Sequence, residues 1–385
     1  MRIGYLYNFE AYPPKGGNHL HATELTRGFL QSGHEVSVVD DPSMPGVTNY
    51  GNHTADLHRF IKSIDVLYVR IDARFTRRWV VLKVCMDLAG ARPVVWEINS
   101  PANEGLAFSW LGKKSAAMTV NEGFVRRLRR WFHASRQLPG IRLEEVHRRR
   151  LARGVSCAIC VSTALASYAN EELGIADFLV MPNGGPLLSS EEIMLRRGSR
   201  QDDRFMVLYT GSAIYPWQGL DYLSQVIALA REDAPDLIFV LAVNKLTPDL
   251  PKSGNVLVLD HLDRDQILDA VCRADACVSL HPVYPWSRYS FHNSPLKMFE
   301  YMACKRPVVA SNQGQMREII HDGVDGLLCE NNAKEILGKL LFLRDHPERA
   351  ASIGEHGWNR IQSEFNWPRN VAMTLEVFER VLGIS

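Results

Sequence analysis

The stretch Asn293-Ser294-Pro295-Leu296-Lys297-Met298-Phe299-Glu300, followed by Tyr301-Met302-Ala303 and the apolar run Pro307-Val308-Val309-Ala310, carries the residue types and spacing of an anion site. Ser294 is a preferred helix N-cap and Pro295 suits the first helical position, so a helix is predicted whose first-turn N–H groups point at whatever lies before it. Those N–H groups and the positive end of the helix dipole bind phosphate. Lys297 adds a cation beside them, and Glu300, about one turn further on, can accept hydrogen bonds from paired sugar hydroxyls. Together they suit a nucleotide diphosphate. Gly16 and Gly17, after the first strand and before a helix over Asn18 to Gln31, would let the backbone approach a phosphate or sugar closely. Glu97 and Asn99 alternate onto one face at the end of an apolar strand, and Arg70 and Asp72 end the preceding strand in the same way. These are the candidate acceptor-side groups, with Arg70 a phosphate partner.

The elements that must hold these residues follow from periodicity. Short apolar runs alternate with amphipathic stretches through both halves, the pattern of parallel sheets joined by helices, so the fold class is α/β with two doubly wound domains. Strands are predicted at Arg2 to Tyr7, Glu35 to Val39, Val66 to Arg70, Pro93 to Ile98, Ala158 to Val161 and Phe178 to Met181, then Phe205 to Tyr209, Leu237 to Ala242, Val256 to Leu259, Ala276 to Leu280 and Pro307 to Ala310. The polar stretch Gly184 to Asp203 carries no strand pattern and marks the boundary. This gives domains at 1–185 and 186–365, with an amphipathic helix over 366–385 that needs an apolar surface to cover. In such domains ligands sit at the carboxyl ends of the strands, and every candidate above follows a strand.

Bulk composition narrows the function. The chain has 385 residues, beyond what one core usually serves, with 46% hydrophobic and 23% charged residues and net charge +1. No apolar run approaches a membrane span, and Met1 to Tyr7 reads as a strand and not a signal peptide, so a cytoplasmic protein is expected. Seven cysteines without framework spacing fit a reducing compartment. Cys157 and Cys160 form a C-x-x-C inside an apolar run that reads as a buried strand. Nothing global argues for nucleic acid.

In their order and spacing, several segments resemble the retaining glycosyltransferases of family 4, whose GT-B fold is two facing Rossmann-like domains. Gly16-Gly17-Asn18-His19 with Gly33-His34-Glu35-Val36 is similar to the family's first glycine loop, helix and second strand. Met181-Pro182-Asn183-Gly184 resembles its interdomain loop, and Tyr209-Thr210-Gly211-Ser212 with Trp217-Gln218-Gly219-Leu220-Asp221 the opening of its donor domain. Ala274 to Leu280 resembles the strand before the donor loop. Glu318-Ile319-Ile320 with Asp322 to Leu328 is similar to a late helix and strand, and Phe365-Asn366-Trp367 to the start of a terminal helix that crosses back onto the first domain. The resemblance implies transfer of a hexosyl unit from a UDP- or GDP-sugar to a saccharide or lipid-linked acceptor, as in cell-envelope or exopolysaccharide synthesis. The donor-side candidates are Gly16, Gly17, Gly211, Ser212, Lys245, Ser294, Pro295, Leu296, Lys297 and Glu300, and the acceptor-side candidates His19, Arg70, Glu97 and Asn99. Lys297, Glu97, Asn99 and His292 are the catalytic candidates. No cofactor and no metal are expected, since such enzymes meet leaving-group charge without a divalent ion and no Asp-x-Asp or His cluster is visible.

Three positions depart from the family pattern. His292 stands where the first of two glutamates seven residues apart is usual, and Ser212 and Gln218 stand where an Arg and a Lys commonly neutralise the diphosphate. That role then falls to the N–H groups of Leu296 and Lys297, the Lys297 ammonium and Lys245. These departures keep open a catalytically degenerate scaffold or regulatory protein, and a nucleotide-sugar epimerase of the same fold is a further alternative. From Lys113 to Arg153 twelve basic residues face three acidic ones, a local net charge of +9. With Trp110, Leu111, Phe124, Leu128, Trp131 and Phe132 interleaved, the region reads as an interfacial helix for an anionic membrane, with a solvated helical face as the alternative.

Overall fold

The computed structural model describes residues 1–14, 16–73, 79–102, 132, 139, 142–199, 202–247, 250–283 and 287–384. Two parallel sheets form. The first has the order β3-β2-β1-β4-β5-β6-β7, with β1 Arg2–Leu6, β2 Glu35–Val39, β3 Thr48–Tyr50, β4 Val66–Ile71, β5 Val94–Ile98, β6 Cys157–Cys160 and β7 Phe178–Val180. The second has the order β10-β9-β8-β11-β12-β13, with β8 Phe205–Gly211, β9 Leu237–Val243, β10 Val256–Asp260, β11 Ala276–Ser279, β12 Val308–Ser311 and β13 Leu327–Cys329. Strand order reverses between β1 and β4 and again between β8 and β11, and at such a switch point the carboxyl ends open a crevice. The architecture is GT-B. Strand β4 is buried along its whole length, because helices cover both faces of a parallel sheet. Apolar clusters accordingly line both faces of each sheet.

The helices are α1 Gly17–Gln31, α2 Thr54–Ser63, α3 Trp79–Ala89, α4 Thr163–Glu171, α5 Ser190–Arg197, α6 Leu220–Asp233, α7 Arg264–Arg273, α8 Leu296–Ala303, α9 Gly314–Ile319, α10 Ala333–Asp345, α11 Pro347–Ser363 and α12 Trp367–Leu382. Helix α5 lies in the stretch read as a boundary. Ser189 and Glu192 form a capping box that starts it, and Arg196 binds Asp265 and Asp269 of α7, which docks it on the second domain. Strand β3 also escapes the apolar pattern, being three residues long with both faces largely exposed.

Helix α12 finds its apolar surface on the first domain. Phe378 packs against Phe29 and Tyr68, with ring centroids 5.8 and 5.2 Å away. Val371 sits against Gly28 of α1, so close that a β-carbon at Gly28 would lie 2.2 Å from Val371 Cγ2. Burying Phe378 and Val371 contributes roughly 1.5–3 kcal/mol each, so the crossover is part of the first domain's core. Asn366 caps α12, accepting the Arg369 N–H at 2.9 Å, and Gly185 pairs with Asn366 where the chain passes between domains. A side chain at Gly184 would strike the Asn366 backbone at 2.6 Å, which is why glycine is needed there.

Candidate active site

The starts of α1 and α8 meet across the two domains. Gly17 opens α1, and a β-carbon there would lie 2.9 Å from Leu296 Cδ1 at the start of α8. Gly16 occupies the N-cap of α1 in extended conformation. Both glycines are exposed, so the backbone of one domain and the helix head of the other border one opening.

Helix α8 starts at Leu296, with Pro295 in the cap position and no side chain capping it. This corrects the expectation that Ser294 is the N-cap. The Ser294 hydroxyl instead accepts the Asn183 N–H at 2.9 Å, while the Ser294 carbonyl accepts from Asn183 Nδ2 at 2.7 Å. The interdomain loop takes the hydroxyl that would have closed the helix start, and the first-turn donors keep their anion-binding character.

Lys297, 8% exposed, donates to Gln218 Oε1 at 2.7 Å and lies 4.3 Å from the centre of the Tyr209 ring. Burial pushes its ammonium down to about 7, and the charge of Glu300 offsets this only in part. Gly211 closes β8 directly beneath: a β-carbon there would fall 2.7 Å from Gln218 Oε1 and 2.9 Å from Lys297 Nζ. Gln218, read in the sequence as a missing charge, is therefore the residue that aims the lysine. Its loop is fixed by Gly219, at φ +68 with Leu280 O 2.2 Å from any β-carbon, and by His281, whose Nδ1 bonds Trp217 O at 2.8 Å. Burial and then the Lys297 charge hold His281 down to about 3, so it serves as a neutral strut.

The remaining donor candidates surround this cluster. Glu300 is buried, and its Oε1 is held by Arg264 at the start of α7. That partner lies thirty-six residues away in the chain. Ser212 is buried and its Oγ accepts the Ile214 N–H at 3.3 Å, a turn contact. Lys245 is exposed just after β9, next to Asn244, whose N–H bonds Gly211 O at 3.3 Å. His292 is buried, and what it gives the seam is its backbone: its carbonyl accepts the Ser162 hydroxyl at 2.7 Å. Its ring Nδ1 lies 3.3 Å from Ser290 O.

The acceptor-side expectation needs correction. Glu97 has no exposed surface. Its carboxylate receives Tyr5 Oη at 3.0 Å, Tyr68 Oη at 2.8 Å and Asn99 Nδ2 at 2.6 Å, with Arg70 and His21 as charged partners. Burial alone would raise this carboxyl, but the His21 and Arg70 charges and these donors hold it well below the usual range. Glu97 lies under the crevice floor and organises other side chains. Arg70 is equally buried, between Glu97 and Asp72, which leaves it no face for a phosphate. Asn99, half-buried, and His19, against the edge of Phe9 at 5.0 Å, reach nearer the surface.

Most of the basic region, including Lys113, Lys114, Arg126, Arg127, Arg129, Arg130 and Arg136, lies outside the described residues. Within 142–153, Arg148 is buried against Glu144 and the Ser100 carbonyl, whereas Arg142, Arg150 and Arg153 are exposed beside Leu143 and Val146. Among the described residues no three His, Cys, Asp or Glu converge as a metal site would, and no helix is long and apolar enough to cross a membrane.

Comparison with known proteins bears on this geometry. Residues 204–346 match the family described as glycosyl transferases group 1. Alpha-maltose-1-phosphate synthase of Mycolicibacterium smegmatis is 34% identical over 182 residues, 41% of this chain and 44% of that protein. An uncharacterized glycosyltransferase of Methanocaldococcus jannaschii is 36% identical over 83 residues, 21% of this chain and 23% of its own length. The matched region thus spans less than half of these curated relatives. Among solved structures, a sucrose-phosphate synthase from Thermosynechococcus elongatus superposes with TM-score 0.70 at 15% identity, covering 100% of both chains. HepE from Anabaena, in complex with UDP and glucose, superposes with TM-score 0.66 at 18% identity over 97% of this chain and 99% of its own. These likenesses show the shared fold.

Proposed function

We propose, from the premise that residues 204–346 are a glycosyl transferases group 1 domain on a GT-B scaffold, that the chain transfers a hexosyl unit from a nucleotide diphosphate sugar to a saccharide or lipid-linked acceptor with retention of configuration. One observation carries the proposal. Lys297 is a buried cation held by an amide oxygen and a ring face, beside an uncapped helix start that faces the glycine turn of the other domain. A diphosphate supplies the negative charge that this arrangement is short of.

The chemistry follows from where charge develops. As the glycosidic bond to the diphosphate breaks, negative charge builds on the departing phosphate oxygens, and N–H donors already in place stabilise it most. The Leu296 and Lys297 N–H groups and the Lys297 ammonium take that role, with the Gly16–Gly17 backbone closing from the first domain. Glu300, oriented by Arg264, takes the ribose hydroxyls. The leaving phosphate is placed to accept the acceptor's proton, so no separate base is called for. This scheme uses no metal, and full activity in a chelator is its expected outcome.

The HepE complexes favour a uridine nucleotide as the first donor to try. The decisive experiment incubates the protein with a panel of UDP- and GDP-sugars, with and without acceptor glycans, and follows nucleotide release and the product's anomeric configuration by NMR. Release of UDP or GDP with a retained anomer supports the reading; interconversion of the donor sugar without acceptor would turn it into an epimerase. For the acceptor, exposed Arg142, Arg150 and Arg153 with Leu143 and Val146 suit an anionic lipid surface. Co-sedimentation with phosphatidylglycerol vesicles but not phosphatidylcholine vesicles is the expected result.

A further inference from the structure

The His21 imidazole belongs to the Glu97 network and also reaches beyond it, to the interdomain loop. It is 2% exposed, on α1, with Nε2 3.1 Å from Glu97 Oε1 and Nδ1 2.6 Å from Asn183 Oδ1. The Asn183 amide is oriented unambiguously: its Nδ2 faces the Ser294 carbonyl at 2.7 Å, so its oxygen must be the atom that faces the histidine. Nδ1 therefore donates to Asn183, and Nε2 faces the Glu97 carboxylate at ion-pair distance. The edge of the ring is closed off by Trp367 of the crossover helix, at 5.2 Å between centroids.

These contacts form an unbroken chain. Arg70 and Asn99 hold Glu97, Glu97 meets His21, His21 donates to Asn183, and Asn183 holds Ser294 through two hydrogen bonds. Ser294 lies two residues before Leu296, the residue that meets Gly17. We infer that His21 is a positioning residue: it ties the floor of the first domain's crevice to the head of α8, so that the acceptor wall and the diphosphate cradle keep one separation and one orientation. Arg70, Glu97, His21 and Asn183 are buried, while Asn99 and Ser294 at the two ends of the chain are half-buried. A pair of solvent-exposed contacts at the rim, Arg288 with Glu171 and Glu172, is too screened to impose the same precision.

The inference rests on the transferase reading for its kinetic test and not for its distance test. Glutamine at position 21 can bond one neighbour but cannot span both. With the donor sugar that the wild type uses, His21→Gln should lower kcat about 100-fold, the size of effect expected from an ångström-scale misalignment, while UDP affinity changes less than about threefold because the nucleotide cradle is built in the second domain. Ser294→Ala removes the oxygen that receives the Asn183 N–H, and the double variant should be no slower than the slower single one, since both break one chain. Losses that multiply, or UDP affinity falling in step with kcat, would overturn the inference. For the distance test, all seven cysteines are buried, so spin labels at Arg59→Cys and Leu195→Cys report selectively on the two domains. His21→Gln should broaden and lengthen the label separation in the presence of UDP, and an unchanged distribution would refute the latch. A wild type inactive with every donor, yet showing this change in separation, would refute the transferase reading and leave the latch standing.

Discussion

Two charged side chains close to the crevice have opposite electrostatic fates. Glu97, with no exposed surface, is surrounded by two tyrosine hydroxyls, an amide, a guanidinium and an imidazole, which more than compensate its burial. Lys297, 8% exposed, has one amide oxygen and an aromatic face, and burial pushes its ammonium down to about 7. A buried charge that is fully partnered is a structural centre, complete without a ligand. A buried charge that is under-partnered is a site awaiting its counterion. The acceptor wall is thus built on a finished network, and the donor cradle on an unfinished one.

The largest effect expected is on stability. Glu97→Gln removes the one negative charge between Arg70 and His21 and should cost about 3–5 kcal/mol in denaturant unfolding. Little change would mean that the network is not the structural centre described. Lys297→Met should do the reverse, lowering kcat/KM by about 10²–10³, the cost of one leaving-group donor, while stability holds steady or rises as a poorly compensated charge disappears. Steady-state kinetics beside melting curves separate the two.

The third prediction uses pH. Free Lys297 titrates near 7, and a bound diphosphate stabilises its charged form, so above that pH binding must take up a proton. UDP affinity should be flat below about pH 6 and fall about tenfold between pH 6 and pH 8, a slope that Lys297→Met abolishes in calorimetry. The smallest effect sharpens the geometry. At Gly211 a β-carbon would press on Lys297 Nζ and Gln218 Oε1, and Gly211→Ala should weaken UDP binding by about 1 kcal/mol, the low end of an overpacking cost, without touching the Glu97 network.

Much of this was legible in the chain. Eleven apolar runs marked strands within a residue or two, because strands covered by helices on both faces are mostly apolar. Strand β3 was not, since Thr48-Asn49-Tyr50 has no apolar run, and helix α5 went unread although Ser189 and Glu192 carry a capping signature. At the site, Lys297 and the two glycine positions were visible from local patterns. Gln218, Arg264 and His21 were not, because their partners lie seventy-nine, thirty-six and one hundred and sixty-two residues away.

By itself, the sequence determined which charges exist, that two α/β domains would form, and that a helix beginning near residue 296 would offer N–H groups to an anion. Only the tertiary structure decided which charges are satisfied. Desolvation and compensation depend on every group packed around an atom, and those groups are gathered from across the chain. Hence the glutamate that looked like an acceptor residue became a floor beam, the serine that looked like a cap became half of an interdomain link, and the glutamine that looked like a loss became the partner that aims the lysine.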